Sequence, residues 1–388
     1  MPNPIKAGVI KLGSRISFNA NDTSGGNGEA RSIINMLHIG GAEVHIFTKI
    51  LKTDNLLPEY HWHNLSDFNS AFPGVPDVLV VLNGSVNFFG GAEDREQLLN
   101  YRMINEFKGA VFYIYCDPAL TLEQVWPAVS KKSWGEKWTE ESLNITRKDI
   151  TYISQPHDVD KVLNALKPRT PENWEQWTRL KNKIDNKVLP AKIIHYPFEK
   201  FPCLNSQLPF NQKPEVDLSY GGTMRGGKRV KKMVKFYFGH PPGITVEMFG
   251  KIKHEDFADV LDGEREPTYT GPVRYDEILP KMNKATAHCV IGDPYYEKIN
   301  DMAQRAYEAI WSSVVTFIDY DLDKLRRVYG RDKVLADFLY VKNREELSEK
   351  IQLLKSDDQL RRQIIANQIE AIDFDPKEFC TDFVELLK

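Results

Sequence analysis

The chain has few cysteines, and the four it has, Cys116, Cys203, Cys289 and Cys380, include no Cys-x-x-Cys pair. That excludes a zinc ribbon or a disulfide framework. Scattered thiols, three of them in or beside apolar runs, read as reduced and packed, the usage of a cytosolic protein. No run of about 18 apolar residues exists, so no membrane-spanning helix is expected. The opening stretch MPNPIKAGVIKLG is too short and too interrupted for a signal peptide. Neither sign of charge dominates. A net charge of −3 gives no overall pull toward nucleic acid or anionic lipid, so contact with a polyanion must come from local basic patches. No internal repeat is visible. The histidines supply no H-x-x-x-H spacing; His61 and His63, two apart in HWHN, read as part of a polar loop, and no metal-ligand set is expected.

What is present is an alternation. A chain of 388 residues exceeds one ordinary core, so two domains are the default. In the first half, AGVIKL (7–12), AEVHIFT (42–48), DVLVVL (77–82) and AVFYIYC (110–116) are continuous β-rich runs. Helical patterns over Glu29–Ile39 and Asp94–Phe107 separate them. Such runs indicate a parallel sheet covered on both faces. The pattern resumes with YGGT, ITVEMFG (244–250), AHCVIGD (287–293), a helix around Ile299–Ser312, VVTFID (314–319) and FLYV (338–341). Residues 344–388 read as two or three helices. The expected organisation is a Rossmann-like domain over 1–190, a proline-bearing connector over 191–214 and a second Rossmann-like domain over 215–370. A terminal helix over 371–388 is expected to pack back on the first domain. Two such α/β domains facing each other across a cleft bring the carboxyl ends of both sheets to a shared opening, where ligands of open α/β sheets bind. Nucleotide-sugar glycosyltransferases of the GT-B type, two-domain binding proteins and epimerases all use this architecture, so fold alone leaves function open.

The residues that carry chemistry lie in loops that follow strands. YGGTMRGGKR (220–229) puts two glycines, a hydroxyl and two arginines between a strand and a helix, the makings of a phosphate cradle. Arg225 and Arg229 share a face if the helix begins early, and both then fork onto phosphate oxygens. The alternative is a glycine turn with solvated arginines. Asp117 ends the fourth strand run and is followed by proline, which makes it a candidate general base, or else a turn cap. Glu29 opens the first helix, where capping is the simpler role. Arg305 and Glu308, three residues apart, could serve a phosphate and a ribose diol, or form a plain surface ion pair. Basic residues interleave with aromatics at VWPAVSKKSWGEKW (125–138), a pattern that can contact phosphates and stack on bases.

Taken together, VVLNGSVNFFGG (80–91), VWPAVSKKSW, WTEESL, YISQ, YGGTMRGGKRVKKMV, EMFG, YTGPV, VIGDPYY and RAYE resemble, in the same order, the DNA β-glucosyltransferase family of T-even-type phages. The likeness spans nearly the whole chain. It implies a GT-B fold and an inverting transfer from a UDP-sugar to the hydroxymethyl oxygen of 5-hydroxymethylcytosine in double-stranded DNA, inside the infected host's cytoplasm. By the same resemblance Asp117 is the catalytic base, and Gly222, Thr223, Arg225 and Arg229, with Arg305, hold the pyrophosphate. Glu308 takes the ribose, Phe249 and Gly250 pack the nucleoside, the Val273 backbone reads uracil and Glu29 lies near the sugar. Trp126, Lys131, Lys132 and Trp134 are the candidates for gripping DNA around a flipped base. A divalent cation, Mg or Mn, would stimulate without a resident ligand set, and a monomer without membrane attachment is expected. The Asn- and Gly-rich loop over 14–28 and the region 160–190 depart from the family pattern, which leaves glucose or a pentose such as arabinose as donor. A GT-B enzyme for a small acceptor, and a non-catalytic nucleotide-binding protein, are the other readings of the same residues.

Overall fold

A computed structural model of the chain describes residues 3–12, 15–19, 25–52, 54–67, 76–82, 95–115, 146–154, 187–188, 196–198, 207–223, 228–261, 263–292, 297, 302–372 and 374–388. The chain divides into two compact units. The first comprises residues 1–193, 198–204 and 375–388; the second comprises 194–197 and 205–374.

The sheet of the first unit has seven parallel strands: β1 (Lys6–Lys11), β2 (Glu43–Thr48), β3 (His61–Asn64), β4 (Val78–Leu82), β5 (Ala110–Tyr115), β6 (Ile150–Ser154) and β7 (Lys187–Val188). Their order is β3-β2-β1-β4-β5-β6-β7, so the winding reverses between β1 and β4. This is the doubly wound arrangement, and its crevice lies outside the carboxyl ends of those two strands. Every residue of β4 is buried, as a strand covered on both faces requires. Two helices, α1 (Gly25–Ile39) and α2 (Arg95–Glu106), cross over between strands. Leu79 and Val81 of β4 meet Met103 and Ile104 of α2 in the core, with Ile10 and Leu12 beside them. Arg147 fixes the start of β6 by donating from Nη2 to the Gly109 carbonyl at 2.8 Å while pairing with Asp149.

HWHN is not a loop. It is the edge strand β3, in register with β2 through His45↔His61 and Phe47↔His63, and it makes the AVFYIY run the fifth strand rather than the fourth. Hydrophobic patterning cannot see it, because imidazoles stacked on His45 and Phe47 do the packing. Helix α1 likewise starts at Gly25, four residues ahead of the sequence expectation. Glu29 is therefore inside the helix and not at its cap.

The sheet of the second unit has six parallel strands: β8 (Val216–Thr223), β9 (Val246–Lys251), β10 (Thr268–Tyr269), β11 (Ala285–Val290), β12 (Val315–Asp319) and β13 (Tyr340–Val341), in the order β10-β9-β8-β11-β12-β13. Its helices are α3 (Lys228–Tyr237), α4 (Ile278–Asn283), α5 (Gln304–Trp311), α6 (Lys333–Leu339), α7 (Arg344–Ser356) and α8 (Asp358–Glu370). Helix α3 reads KRVKKMVKFY and buries Val230, Met233, Phe236 and Tyr237, a 3.6-residue stripe under a basic face. Side-chain caps set the later boundaries. Asp332, Asn343 and Asp357 each accept a hydrogen bond from the backbone N–H three residues on. Gln368, fully buried on α8, donates to the Val314 carbonyl at 2.8 Å and accepts from Thr316 N at 3.1 Å, tying that helix to β12.

The helix after α8, α9 (Pro376–Glu385), returns to the first unit. Asp375 caps it and Pro376 stands at its first turn, where a missing N–H costs nothing. Phe379, Cys380, Phe383 and Val384 are buried, and α9 lies against α1. The approach is close enough that a Cβ on Gly40 would sit 2.3 Å from the Cys380 carbonyl oxygen. Of the four thiols, Cys289 and Cys380 fall among the described residues; both are free and buried, and burial pushes both upward in pKa. Gly40→Ala is expected to destabilise the first unit by about 1–3 kcal/mol through overpacking. Denaturant unfolding followed by far-UV circular dichroism checks this, and an unchanged midpoint would show that α9 can retreat without cost.

Candidate functional site

The second unit gathers its polar chemistry at and beneath the carboxyl ends of β8, β9, β11 and β12. Strand β8 is buried through Gly221 and then opens to solvent at Thr223. The glycines there are dictated by crowding. A Cβ on Gly221 would meet the Phe249 ring at 2.3 Å, and one on Gly250 would meet the Gly222 carbonyl oxygen at 1.9 Å. Gly250 has φ +113°, which few side chains tolerate, and its N–H donates to the Gly271 carbonyl at 2.7 Å. Gly222 and Gly250 are direct partners across β8 and β9. The result is a flat backbone floor with buried Phe249 beneath it and Val273 two residues beyond Gly271.

Cations stand around that floor. Arg229, in the first turn of α3, donates from Nη2 to the Tyr220 hydroxyl at 2.5 Å, while its Nε is buried and has no hydrogen-bond partner among the described residues. Tyr220 lies parallel to His288 of β11, with ring centroids 6.4 Å apart. His288 is fully buried; Ser219 Oγ engages its Nδ1 at 3.1 Å and its Nε2 has no partner among the described residues. Burial, with help from the Arg305 guanidinium, pushes this imidazole down to about 3, so it stays neutral at physiological pH. Arg305 opens α5, whose amino terminus has no side-chain cap. Its Nη1 sits 2.6 Å from a Glu308 carboxylate oxygen. That is close enough for an ion pair but not aligned as a hydrogen bond, and the buried Nη1 has no hydrogen-bond partner among the described residues. Glu308 is only 3% exposed, so the pair is not the solvated surface contact that spacing alone allowed.

Lys232 of α3 completes the group by pairing with Asp319, at 2.7 Å, and with Glu297. Burial alone would lower its ammonium; the two carboxylates outweigh that and hold it above its ordinary value. Buried N–H groups without acceptors are costly, and here they belong to two guanidinium groups. An anionic ligand with several oxygens would satisfy them.

In the first unit the segment ahead of α1 is firmly held. Arg31, almost wholly buried, donates from Nε to the Ser17 carbonyl at 2.8 Å and from Nη2 to the Asn19 carbonyl at 2.9 Å. Arg15 pairs with Asp54 through both carboxylate oxygens, at 2.5 and 2.6 Å. Glu29 stands two residues before Arg31 on α1 and is half-buried.

With this geometry established, comparison with known proteins is informative. A profile for the family described as Bacteriophage T4 beta-glucosyltransferase matches residues 66–170. The DNA beta-glucosyltransferase of Enterobacteria phage T4 is 30% identical over 300 residues, covering 76% of this chain and 78% of the relative. The chain belongs to the phage T4 β-glucosyltransferase family. Two structures of the phage T4 enzyme share the fold. A mutant in complex with UDP-glucose superposes with a TM-score of 0.69 at 24% identity, over 99% of this chain and all of the other. The complex with UDP and Mn2+ gives 0.68 at 24%, with the same coverage. The GT-B fold expected from the sequence is the fold of this family.

The Mn2+ in that complex raises the question of a metal here. Among the described residues at the carboxyl edge of the second sheet, each carboxylate is engaged by a cation: Glu308 by Arg305, Asp319 and Glu297 by Lys232. With their carboxylates already paired, these described residues offer no open ligand set for a resident divalent ion.

Of the residues expected from sequence, Gly222, Thr223, Arg229, Phe249, Gly250, Val273, Arg305 and Glu308 lie in the second unit, and Glu29 lies in the first. Asp117, Arg225, Trp126, Lys131, Lys132 and Trp134 fall outside the described residues. Sequence reasoning missed Tyr220, His288 and Lys232. His288 sits inside the apolar run AHCVIG and resembled core; its only signal was a polar residue in a strand otherwise buried on both faces. The unfolded imidazole takes a proton near 6.5 while the folded one waits until about 3. The unfolded state therefore binds more protons in that window, and stability falls as pH is lowered across it. His288→Asn, which keeps a partner for Ser219, should remove that dependence. The stability difference between wild type and variant should then shift by up to about 1.4 kcal/mol per pH unit between pH 6 and 4. Parallel stability profiles for the two proteins would refute the assignment.

Proposed function

We propose that this chain is an inverting glycosyltransferase that moves glucose from UDP-glucose to the hydroxymethyl group of 5-hydroxymethylcytosine in double-stranded phage DNA. The observation that carries the reading is a buried cationic set in the unit whose strands β8 and β9 bring Gly222 and Gly250 face to face: Arg229, whose Nε is buried with no hydrogen-bond partner among the described residues, and Arg305, paired with the buried Glu308. Membership of the phage T4 β-glucosyltransferase family supplies the chemistry that such a site would serve.

In this reading the diphosphate lies over the ends of β8 and β9. Gly222 and Thr223 present backbone N–H groups to it, and Arg225, Arg229 and Arg305 provide charge. Glu308, ionised beside Arg305, accepts hydrogen bonds from the ribose diol. Phe249 and Gly250 form the surface under the nucleoside, and the backbone at Val273 pairs with uracil. The bond from the anomeric carbon to the β-phosphate oxygen breaks as the acceptor oxygen attacks from the opposite face. Negative charge then builds on the leaving diphosphate, so the guanidinium groups stabilise the transition state more than the bound donor. Asp117 takes the proton of the attacking hydroxyl. Glu29, on the helix that Arg31 ties to the preceding segment, is assigned to the sugar hydroxyls by the family likeness. A base stacked inside a duplex is out of reach of an enzyme's catalytic groups, so in this reading the nucleotide is extruded, with Trp126, Lys131, Lys132 and Trp134 gripping the strand left behind. Any divalent cation would accompany the diphosphate and assist its release. The enzyme would work as a monomer in the cytoplasm of the infected cell.

Incubation with hydroxymethylated DNA and a panel of UDP-hexoses and UDP-pentoses, followed by nucleoside mass spectrometry, tests the reaction. A gain of one hexose from UDP-glucose is expected; a gain of pentose would overturn the donor, and no gain would overturn the activity. Asp117→Asn should abolish transfer with UDP affinity retained. Arg229→Ala should weaken UDP binding by about 1.5–3 kcal/mol in calorimetry, the range for a charged hydrogen bond. Unchanged affinity would remove Arg229 from the donor site.

A further inference from the structure

The first unit carries a second cluster of ligand-capable groups that the transfer reaction does not use. Glu43 and His45 are two apart on β2 and so project from the same face of the sheet, and His61 is the direct cross-strand partner of His45 on β3. We propose that Glu43, His45 and His61 form a binding site for a late first-row divalent ion of the zinc class.

The geometry fits such an ion. One potential ligand atom from each residue lies within 4.8 Å of both others. His45 Nε2 is 2.9 Å from Glu43 Oε1, and His61 Nε2 is 3.6 Å from the same oxygen. Ligand atoms around a tetrahedral zinc, with bonds of about 2.0–2.1 Å, lie about 3.3 Å apart, a value these two separations bracket. The His45 and His61 rings are stacked, with centroids 4.6 Å apart and planes 16° from parallel, so both can turn a nitrogen toward one point beside the carboxylate. Closing the remaining distance requires His61 alone to rotate, and its side chain is 56% exposed.

The surroundings also suit a metal. His45 Nδ1 lies 3.0 Å from His63 Nε2, the outer hydrogen bond that fixes a ligating imidazole in tautomer and orientation. His63 in turn stacks on Phe47, centroids 4.7 Å apart. Two imidazoles and one carboxylate favour Zn2+, Co2+, Ni2+ or Cu2+ over the harder Mg2+ and Mn2+, and three protein ligands leave a fourth position for water. The cluster occupies the amino-terminal halves of β2 and β3, at the opposite end from the carboxyl edge where open α/β sheets bind their ligands. Its role is therefore structural: an ion there would staple β3, a four-residue edge strand, to its neighbour.

The test uses full-length, tag-free, metal-stripped protein. Zn2+ titrated in a calorimeter should give one site, Zn2+ should raise the melting temperature, and Co2+ should give the visible absorption of a four-coordinate centre. His61→Ala should melt at the wild-type temperature without metal, lose the Zn2+-dependent rise and lose the Co2+ spectrum. Glu43→Gln should bind at least tenfold more weakly. A site that persists unchanged in His61→Ala, or no heat and no thermal shift with Zn2+ in the wild type, would overturn the proposal; the hydrogen-bonded chain His63–His45–Glu43 would then be complete with a proton in place of a metal.

Discussion

A guanidinium group buried without enough acceptors is the constraint on which the second unit is built. Arg229 spends one N–H on the Tyr220 hydroxyl while its Nε stays buried with no hydrogen-bond partner among the described residues, and Arg305 Nη1 is matched only by the Glu308 carboxylate as an ion pair that is not aligned as a hydrogen bond. Hydrophobic packing alone would select against that arrangement, because the cost of desolvating each N–H is not recovered. The diphosphate we propose for this edge would complete the set. The neutral His288 beneath is part of the same economy of charge: a third cation between two arginines would repel both, and burial keeps the imidazole uncharged. Lys232 pairs with Asp319 and Glu297, so its charge is matched inside the protein.

The backbone makes this possible. Three glycines, Gly221, Gly222 and Gly250, strip side chains from the stretch just before β8 and β9 end at Thr223 and Lys251, and the Phe249 ring fills the space against Gly221. Parallel pairing keeps the two strand ends level, with Thr223 opposite Lys251, and α3 is the next helix after β8. The clamp of Arg31 on the Ser17 and Asn19 carbonyls in the first unit works by a comparable logic, with a buried guanidinium ordering an otherwise irregular segment. There the acceptors are supplied by the chain itself.

Much of this was legible in the sequence, for identifiable reasons. The long apolar runs placed β1, β2, β4, β5 and β12 within one residue and β11 within three, because strands buried on both faces have no alternation to obscure them. YGGT followed by a basic helix marked the end of β8 and the start of α3, and the arginine–glutamate spacing marked Arg305 and Glu308 as a pair on α5. The polar strand β3 was not legible, since its packing is imidazole on imidazole. Nor was His288, whose neutrality depends on neighbours 69 residues away in the chain, such as Ser219. The burial of Glu308 could not be read either: spacing puts it beside Arg305 but says nothing about which way the helix faces.

The return of α9 to the first unit has a bearing on how the protein comes into being. Residues 375–388 emerge from the ribosome after the whole of the second unit, yet Phe379, Phe383 and Val384 supply part of the first unit's interior. The order of synthesis is thus not the order of completion. The nascent first unit must wait with one apolar flank of α1 uncovered while the second unit, whose strands all lie between 216 and 341, is able to finish. A chain laid out in this way makes maturation of its amino-terminal half conditional on translation reaching α9, so that a product terminated before that helix is left unfinished at the half that was made first.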